Sequence, residues 1–581
     1  MFSIFQPYDD EGFHLLTLRA YVSGHALYTQ LVTYYGPFFY EIIGGFFKLT
    51  GFEIANDSGR LVTLFIWLLA SLAGGLVAYR LTHSLLLGLS SQLLTFNLLA
   101  ALTNEPMQPG GLLSLLLIGL ALTAAYRSRR PRATAVFIGA LAAAALLVKI
   151  NVGVFAVMAV AFAFAGSMTG RWRRLLLPAT GLVLSVAPLA LMLRLLDRDW
   201  ATNYAFAVAL AAAALTIVVT AAGARRPAAP APLLMIGGGS AVAIVTIGIA
   251  VLTGTKLSDL ANSIVLLAYG QPQLFVRPLN VKFWVVVCAA ASAALAIAFA
   301  SIRRGRPVAA VLPAIARIAA GVLMWICVLL PPSYLLLLAV PLAWVAAVAP
   351  RDDLRSPTDG YARLLLPALA MMESLQAYPV AGTQVSIASL GVVWVGAITL
   401  NDGVRQLRAW AAGRSRPRLV GAATFVPLGA LIISLAATSL WASVAVASYA
   451  AGSPLGLPGA ELLRVPSMQQ VALRSLSTSL RRDCTSFITM PGMSSLYIWA
   501  GQDAPAPLFD TDWIYFLDSE QQQSIVDQVR SLPGMCVVRN DVVVKFWGQG
   551  RPVPSGPLID FIQTNFVSSG SYGDYELLVP R

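Results

Sequence analysis

Long apolar runs, each near the length needed to cross about 30 Å of hydrocarbon, recur from Leu61 to Ala447 between short polar stretches. A backbone in lipid must satisfy its own hydrogen bonds, so these runs predict membrane-spanning helices. They fall at 61–80, 84–103, 111–126, 133–148, 152–167, 175–193, 201–223, 232–254, 281–302, 308–330, 334–349, 363–378, 385–401 and 420–447. The expectation is about fourteen crossings, several of them so short that they need tilted neighbours or a locally thinned bilayer.

Past Tyr449 the pattern becomes short and mixed. Cys484 to Met490 reads as a strand, and Asp518 to Leu532 as a helix starting at Asp518 or Ser519. Met535 to Phe546 reads as two strands turning at Asn540 and Asp541, Pro557 to Phe566 as a helix, and Tyr575 to Val579 as a last strand. The chain is therefore expected to be mainly α. Residues 1–448 form a polytopic transmembrane helical bundle and 449–581 a small C-terminal extracytoplasmic α/β domain. Residues 8–60 make a first outer loop, in which 37–52 lies along the membrane surface as a juxtamembrane helix.

Composition agrees with a membrane protein: 57% of residues are apolar and only 12% charged, outside the range of soluble domains. The net charge of +13 sits in particular loops rather than in a patch interleaved with aromatics, which argues against nucleic acid as a partner. The basic residues cluster in Tyr126–Arg132, Gly170–Arg174, Arg225 and Arg226, Ile302–Arg306, Arg351–Arg363 and Arg405–Arg418. By the positive-inside rule these loops are cytoplasmic and the opposite ones external. Arg317 is the misfit, since it falls in the middle of the 308–330 run, where a charge is costly unless it faces protein. If 308–317 were an interfacial helix, the crossing number would change by one.

On the external face, the first loop carries Asp9, Asp10, Glu11 and His14, then Gly24, Tyr28 and Gly36-Pro37. The second, Thr103–Gly111, has Glu105 as its one acid. Lys149 and Asn151 mark a helix break, and the 255–282 loop holds Lys256, Asp259, Tyr269, Arg277 and Lys282. Glu373 sits near the outer end of a span, where an acid either lines a cavity or reaches the interface. His25 and His83 have no ligand cluster around them. Of four cysteines, Cys288 and Cys327 lie in apolar runs, whereas Cys484 and Cys536 share the C-terminal domain. In an external domain such a pair is a disulfide candidate, with two unrelated buried thiols as the alternative.

At these residues the chain resembles the GT-C class of polytopic glycosyltransferases that use polyprenyl-phosphate sugars. It is similar to the branch that holds the protein O-mannosyltransferases and the lipid A aminoarabinose transferases. That branch has an Asp-Glu pair in its first external loop, and after it a Gly, a Tyr and a Pro-containing stretch. Asp10-Glu11 match the pair, and Gly24, Tyr28 and Gly36-Pro37 match the Gly, the Tyr and the Pro-containing stretch. The break at Lys149 looks like the family's Lys-containing turn near the lipid phosphate. The match runs from Tyr8 to Gly153, with two departures. The second outer loop has Glu105 and then Met107, Gln108 and Pro109 in place of an Arg-x-Asp element. The family also has a helix before the acidic loop, whereas only Met1–Pro7 precede Tyr8, so about twenty further apolar residues are expected in frame upstream.

The resemblance implies sugar transfer from a polyprenyl-phosphate donor to a glycan, lipid or protein acceptor, in a bacterial inner membrane with the active face in the periplasm. The chemistry needs a carboxylate to deprotonate the attacking hydroxyl, for which Asp10 is the candidate. It also needs cations to stabilise the departing phosphate, for which Lys149 and Arg277 are candidates. Glu11 and Glu105 are assigned to complete the acidic site, and Tyr28 and His14 to contact substrate. No cofactor is certain from the sequence; the one candidate is a divalent metal ion, which Asp10, Glu11 and His14 are chemically able to bind without a ligand-spacing signature. The bland readings are solvated acids in an exposed loop, a snorkelling Lys149 and an interfacial Arg277. A transporter or flippase of lipid-linked sugars is the rival class, with a noncatalytic assembly protein after it. Transport sites sit near the bilayer midplane in broken helices and repeats, whereas these acids lie at span ends and the sequence has no clear repeat.

Overall fold

The computed structural model describes residues 1–126, 130–222, 229–267, 275–302, 311–348, 359–505, 513–515 and 517–581. Arg127, Arg129, Arg225, Arg226, Arg303, Arg304, Arg306, Arg351, Arg355 and Tyr269 lie outside the described residues.

The helices α1 (Asp10–Val22) and α2 (Pro37–Thr50) precede α3 (Asn56–Thr82) and α4 (Leu85–Ala100). Next come α5 (Gly110–Ala125), α6 (Pro131–Val148), α7 (Ile150–Ser167), α8 (Gly170–Leu191), α9 (Asp199–Ala221), α10 (Pro232–Leu252) and the short α11 (Leu257–Ala261). The bundle closes with α12 (Phe283–Ile302), α13 (Val311–Leu329), α14 (Asp359–Glu373), α15 (Gln384–Ala412) and α16 (Pro417–Ala451). Pro at the first position starts α2, α6, α10 and α16, where its missing N–H has no helical partner to lose.

Eleven of the described helices are long and apolar enough to cross a membrane, which makes the chain a multi-pass membrane protein. The other three predicted crossings are shorter or broken. They are α5, the interrupted helical segment 333–347, and α14 with the 3₁₀ turn Ser374–Ala377. The first span begins at Asn56, five residues earlier than the apolar run suggests, because its first turn is polar and packed against protein. α2 lies outside these spans, with Phe39, Ile43 and Phe47 inward and Ile42, Phe46 and Leu49 exposed, as an interfacial helix requires.

The apolar window of α15 is wholly buried, so this helix is the bundle's axis. Small residues let neighbours approach: a Cβ on Gly403 would stand 2.8 Å from the Ala314 carbonyl oxygen of α13. The same device seats α10 on α6, where a Cβ on Gly238 would lie 2.1 Å from the Val136 oxygen. Arg317 faces the interior. It reaches Asp402 of α15 at 3.4 Å and donates to the Val348 carbonyl at 2.8 Å, while Arg363 of α14 grips Asp402 with bonds of 2.6 and 2.9 Å. The span around Arg317 therefore stands, and its partner is an acid 85 residues away.

The C-terminal domain opens with a two-stranded ribbon, β1 (Ser453–Pro454) and β2 (Arg464–Val465), and α17 (Ser467–Asp483). It continues through β3 (Ser486–Met490), α18 (Ser495–Ala500), α19 (Ser519–Val529), β4 (Met535–Arg539), α20 (Asp541–Gly548), α21 (Pro557–Asn565), β5 (Phe566–Tyr572) and β6 (Tyr575–Pro580). The sheet order is β3-β4-β6-β5, with β3 and β4 parallel and the other pairs antiparallel. A disulfide joins Cys484 to Cys536. The second strand expected within 535–546 is instead α20. Asn540 ends β4 and caps the helix, its Oδ1 accepting the N–H groups of Val542 and Val543 at 3.1 Å. The run Val542–Val543–Val544 has strand propensity, but the cap and burial of one helical face override it.

Candidate active site

α1 starts where the sequence places its acids. Asp9, in the left-handed region at φ 56°, caps the helix by accepting the Gly12 N–H at 3.0 Å. Its carboxylate also accepts the N–H and hydroxyl of Ser495, so it is buried between α1 and α18. Gly12 permits this approach, since a Cβ there would stand 2.3 Å from the Ser495 nitrogen. Burial, only partly offset by these hydrogen bonds, raises the Asp9 pKa to about 7.

Asp10 and Glu105 meet through one amide. Gln108 Nε2 donates to Asp10 Oδ2 at 3.1 Å and to Glu105 Oε2 at 2.5 Å. Glu105 also accepts the Thr383 hydroxyl at 2.6 Å and lies 3.5 Å from the Tyr8 hydroxyl. Burial raises the Glu105 pKa, opposed by Thr383, Lys149, Gln108 and Arg277. The Tyr8 phenol is likewise pushed up, by burial first and then by Glu105 and Asp10.

A cavity of about 350 Å³ lies beside this group. Tyr8, Asn104, Glu105, Arg277 and Thr383 contribute polar groups to its wall, and Leu98, Val328, Leu329, Leu336 and Trp441 contribute apolar surface. Lys149, the one residue between α6 and α7, has an extended backbone, and the Gly36 N–H donates to the Val148 carbonyl beside it at 2.8 Å. A Cβ on Gly36 would be 1.9 Å from the Leu147 oxygen, so Gly36-Pro37 and the Lys149 break are one packing unit. The Lys149 Nζ lies 5.7 Å from the centre of the Tyr35 ring.

Of the predicted site residues, Glu105 and Arg277 line the cavity; Asp10 joins Glu105 through Gln108 and Lys149 acts on Glu105 electrostatically, but Asp10 and Lys149, like Glu11, His14 and Tyr28, are not wall residues. Glu11 is buried, its two oxygens accepting Arg60 Nε at 2.8 Å and Nη2 at 2.6 Å. Arg60, fully buried, also donates to the Met1 and Ile4 carbonyls, which fixes the chain leading into α1. His14 packs edge-on against Tyr35 at 5.0 Å and Phe39 at 5.9 Å, and burial lowers its pKa to about 3. The Tyr28 hydroxyl donates to the Tyr35 carbonyl at 2.7 Å within the loop. Asp10, Glu11 and His14, the residues able to bind a metal ion by type, therefore do not converge on one position. Among the described residues no group of three His, Cys, Asp or Glu side chains could hold a metal ion. Glu373 neither lines this cavity nor reaches the interface; it is buried, and its carboxylate has no hydrogen-bond partner among the described residues.

Tyr8, Gln108, Thr383 and Arg60 escaped sequence reasoning. Gln108 alone carried a signal, three residues past Glu105 in a loop too short to point elsewhere.

No model of a known protein family matches the chain, and no curated protein matches it. Among solved structures it is similar to the Archaeoglobus fulgidus oligosaccharyltransferase AglB, in complex with an inhibitory peptide and a dolichol-phosphate. Identity is 12%, the match covers 98% of this chain and 69% of that one, and the TM-score is 0.42. The same organism's oligosaccharyltransferase in complex with Zn and sulfate gives 11% identity, 98% and 69% coverage and a TM-score of 0.40. ArnT from Cupriavidus metallidurans, bound to undecaprenyl phosphate, gives 12%, 98% and 93%, and 0.35. Likeness at this level carries no functional weight; the geometry of the site does.

Proposed function

We propose that the chain is a GT-C-like membrane glycosyltransferase that moves a sugar from a polyprenyl-phosphate donor to an acceptor hydroxyl. The observation that carries this reading is the acid pair Asp10 and Glu105, joined by Gln108 beside a cavity walled by both polar loops and apolar spans. An amphipathic donor needs such a wall, with its phosphate among polar groups and its hydrocarbon against helices.

Asp10 takes the proton of the acceptor hydroxyl as its oxygen attacks the anomeric carbon, and the bond from that carbon to the phosphate oxygen breaks. Single displacement inverts the anomeric centre. Arg277 and Lys149, both acting electrostatically on Glu105, stabilise the charge that grows on the departing phosphate. Glu105 and Tyr8 orient the reacting groups, and Glu11, through Arg60, fixes the start of α1 and so the position of Asp10. The described donor set does not fit a divalent metal, and no step is routed through one. The basic loops and the disulfide support an inner (plasma) membrane location with the site and C-terminal domain in the periplasm.

The test is transfer from a radiolabelled polyprenyl-phosphate sugar in membranes that hold the wild type or Asp10→Asn. Loss of a general base lowers transfer by about 10²–10⁴-fold. Equal release of lipid phosphate by both proteins removes Asp10 from the mechanism. Movement of the lipid-linked sugar across the membrane without transfer would favour a flippase.

A further inference from the structure

The segment that carries Arg277 is pinned from two sides. On the bundle side, the Arg277 N–H donates to the Pro379 carbonyl at 3.2 Å, and the Arg277 carbonyl accepts the Ala381 N–H at 2.7 Å. On the other side stands the end of α20. Gln549 Nε2 donates to the Val276 carbonyl at 2.7 Å, and the Phe275 ring meets Trp547 at 4.8 Å. The same end of α20 also holds Tyr8: Phe546 stacks on it at 5.6 Å with planes 10° apart, and Trp547 meets it edge-on at 6.0 Å.

Tyr8 and Arg277 are both part of the cavity wall, and Tyr8 reaches Glu105. One edge of one helix in the C-terminal domain therefore touches Tyr8 and the two residues that lead into Arg277. α20 is itself firmly seated. Val543 and Val544 are buried in the domain, and the Tyr515 hydroxyl donates to the Val544 carbonyl at 2.9 Å. Its position passes to Tyr8 and Arg277 through packed rings and a hydrogen bond, with no described side chain of the domain among the cavity-wall residues.

We infer that Phe546, Trp547 and Gln549 are positioning residues for sugar transfer: they hold Tyr8 and the Arg277 segment against the cavity, so that the C-terminal domain sets the donor-phosphate site. This rests on the reading of Arg277 as a phosphate-binding cation. A misplacement of about 1 Å at such a site costs on the order of a hundredfold in rate, so three residues outside the cavity can govern it.

The decisive variant is Gln549→Asn in the full chain. Gln549 is exposed and its φ is 52°, a conformation Asn tolerates, while the shorter side chain cannot reach Val276. The kcat and the donor KM are measured with a polyprenyl-phosphate sugar for Gln549→Asn, Arg277→Ala and the double variant, and for Trp547→Ala and Trp547→Phe. The expected result is a fall in kcat/KM for the donor of about tenfold or more in Gln549→Asn and Trp547→Ala. Trp547→Phe retains most activity, and Gln549→Asn adds no further loss once Arg277 is absent. Independent, multiplicative losses in the double variant overturn the inference, as does an unchanged Gln549→Asn beside an impaired Arg277→Ala. Full transfer by both Asp10→Asn and Arg277→Ala overturns the reading of the site and this inference with it.

Discussion

Asp9 and Ser495 lie 486 positions apart, yet the Asp9 carboxylate accepts both the backbone N–H and the hydroxyl of Ser495, at 2.9 Å for the latter. The first turn of α1, which carries Asp10, is thereby tied to α18 of the C-terminal domain. Nearby bonds reinforce the joint: Asn56 donates to the Ser495 hydroxyl at 3.1 Å and accepts the Trp499 indole N–H at 3.0 Å.

This joint titrates. Burial raises the Asp9 pKa from 3.8 to about 7. The folded protein therefore holds a proton that the unfolded chain releases, and the stability this contributes is complete below pH 4 and lost as pH rises through 7. Asp9→Asn keeps an acceptor for the Ser495 N–H and does not titrate. The variant should gain on the wild type as pH rises from 4 to 8, by at most about 4 kcal/mol. Thermal unfolding of both proteins in detergent across that range checks it; parallel curves would show that Asp9 does not titrate in the joint.

Glu11 and Asp10 are neighbours with separable roles. Glu11→Gln leaves the Arg60 guanidinium buried without its carboxylate and should destabilise the protein by about 3–5 kcal/mol. The folded fraction that remains should keep its specific activity within about tenfold, whereas Asp10→Asn should leave stability intact and lose about 10²–10⁴-fold in transfer. Thermal unfolding and transfer assays on the same preparations separate the two.

The sequence made legible whatever depends on local pattern. Apolar runs locate the spans, and the helix break at Lys149 shows as a Lys-Ile-Asn step in an apolar run. Pairing across the chain was not legible. An apolar run cannot say that Arg317 faces Asp402, nor that Glu11 is consumed by Arg60 rather than aimed at substrate. Likewise Val542–Val544 look like a strand until the Asn540 cap and the buried helical face decide otherwise. At the site, residue types near the acids could suggest a metal set, but only the folded chain shows that Glu11 is taken by Arg60 and that His14 packs on Tyr35 and Phe39.

The Arg317–Asp402–Arg363 cluster gives an asymmetric prediction. Removing Arg317 leaves a neutral, doubly hydrogen-bonded pair of Arg363 and Asp402. Removing Asp402 leaves two buried guanidiniums without the carboxylate on which both converge. Asp402→Asn should therefore cost about 3–5 kcal/mol, and Arg317→Met, which fills similar volume, clearly less. Thermal unfolding of the two variants in one detergent ranks them, and an equal or greater loss in Arg317→Met would mean that Asp402 is not the hub.

The Cys484–Cys536 bond closes a loop of 52 residues between the end of α17, two residues before β3, and the second residue of β4, which pairs with Phe487. Such a loop restricts the unfolded chain by about 4 kcal/mol on the chain-entropy model, a large share of what a small domain has. No residue of the bundle lies within that loop, which meets the bundle through Ser495 and Trp499. Reduction, or Cys484→Ser, should lower the unfolding temperature of the C-terminal domain more than that of the bundle. Because the domain holds Tyr8 and the Arg277 segment through α20, transfer should fail at the temperature of the domain transition and not of the bundle's. Activity and protease sensitivity of residues 449–581, monitored together with and without reductant, test this; activity that outlasts cleavage of the domain would place the whole transfer site within the bundle.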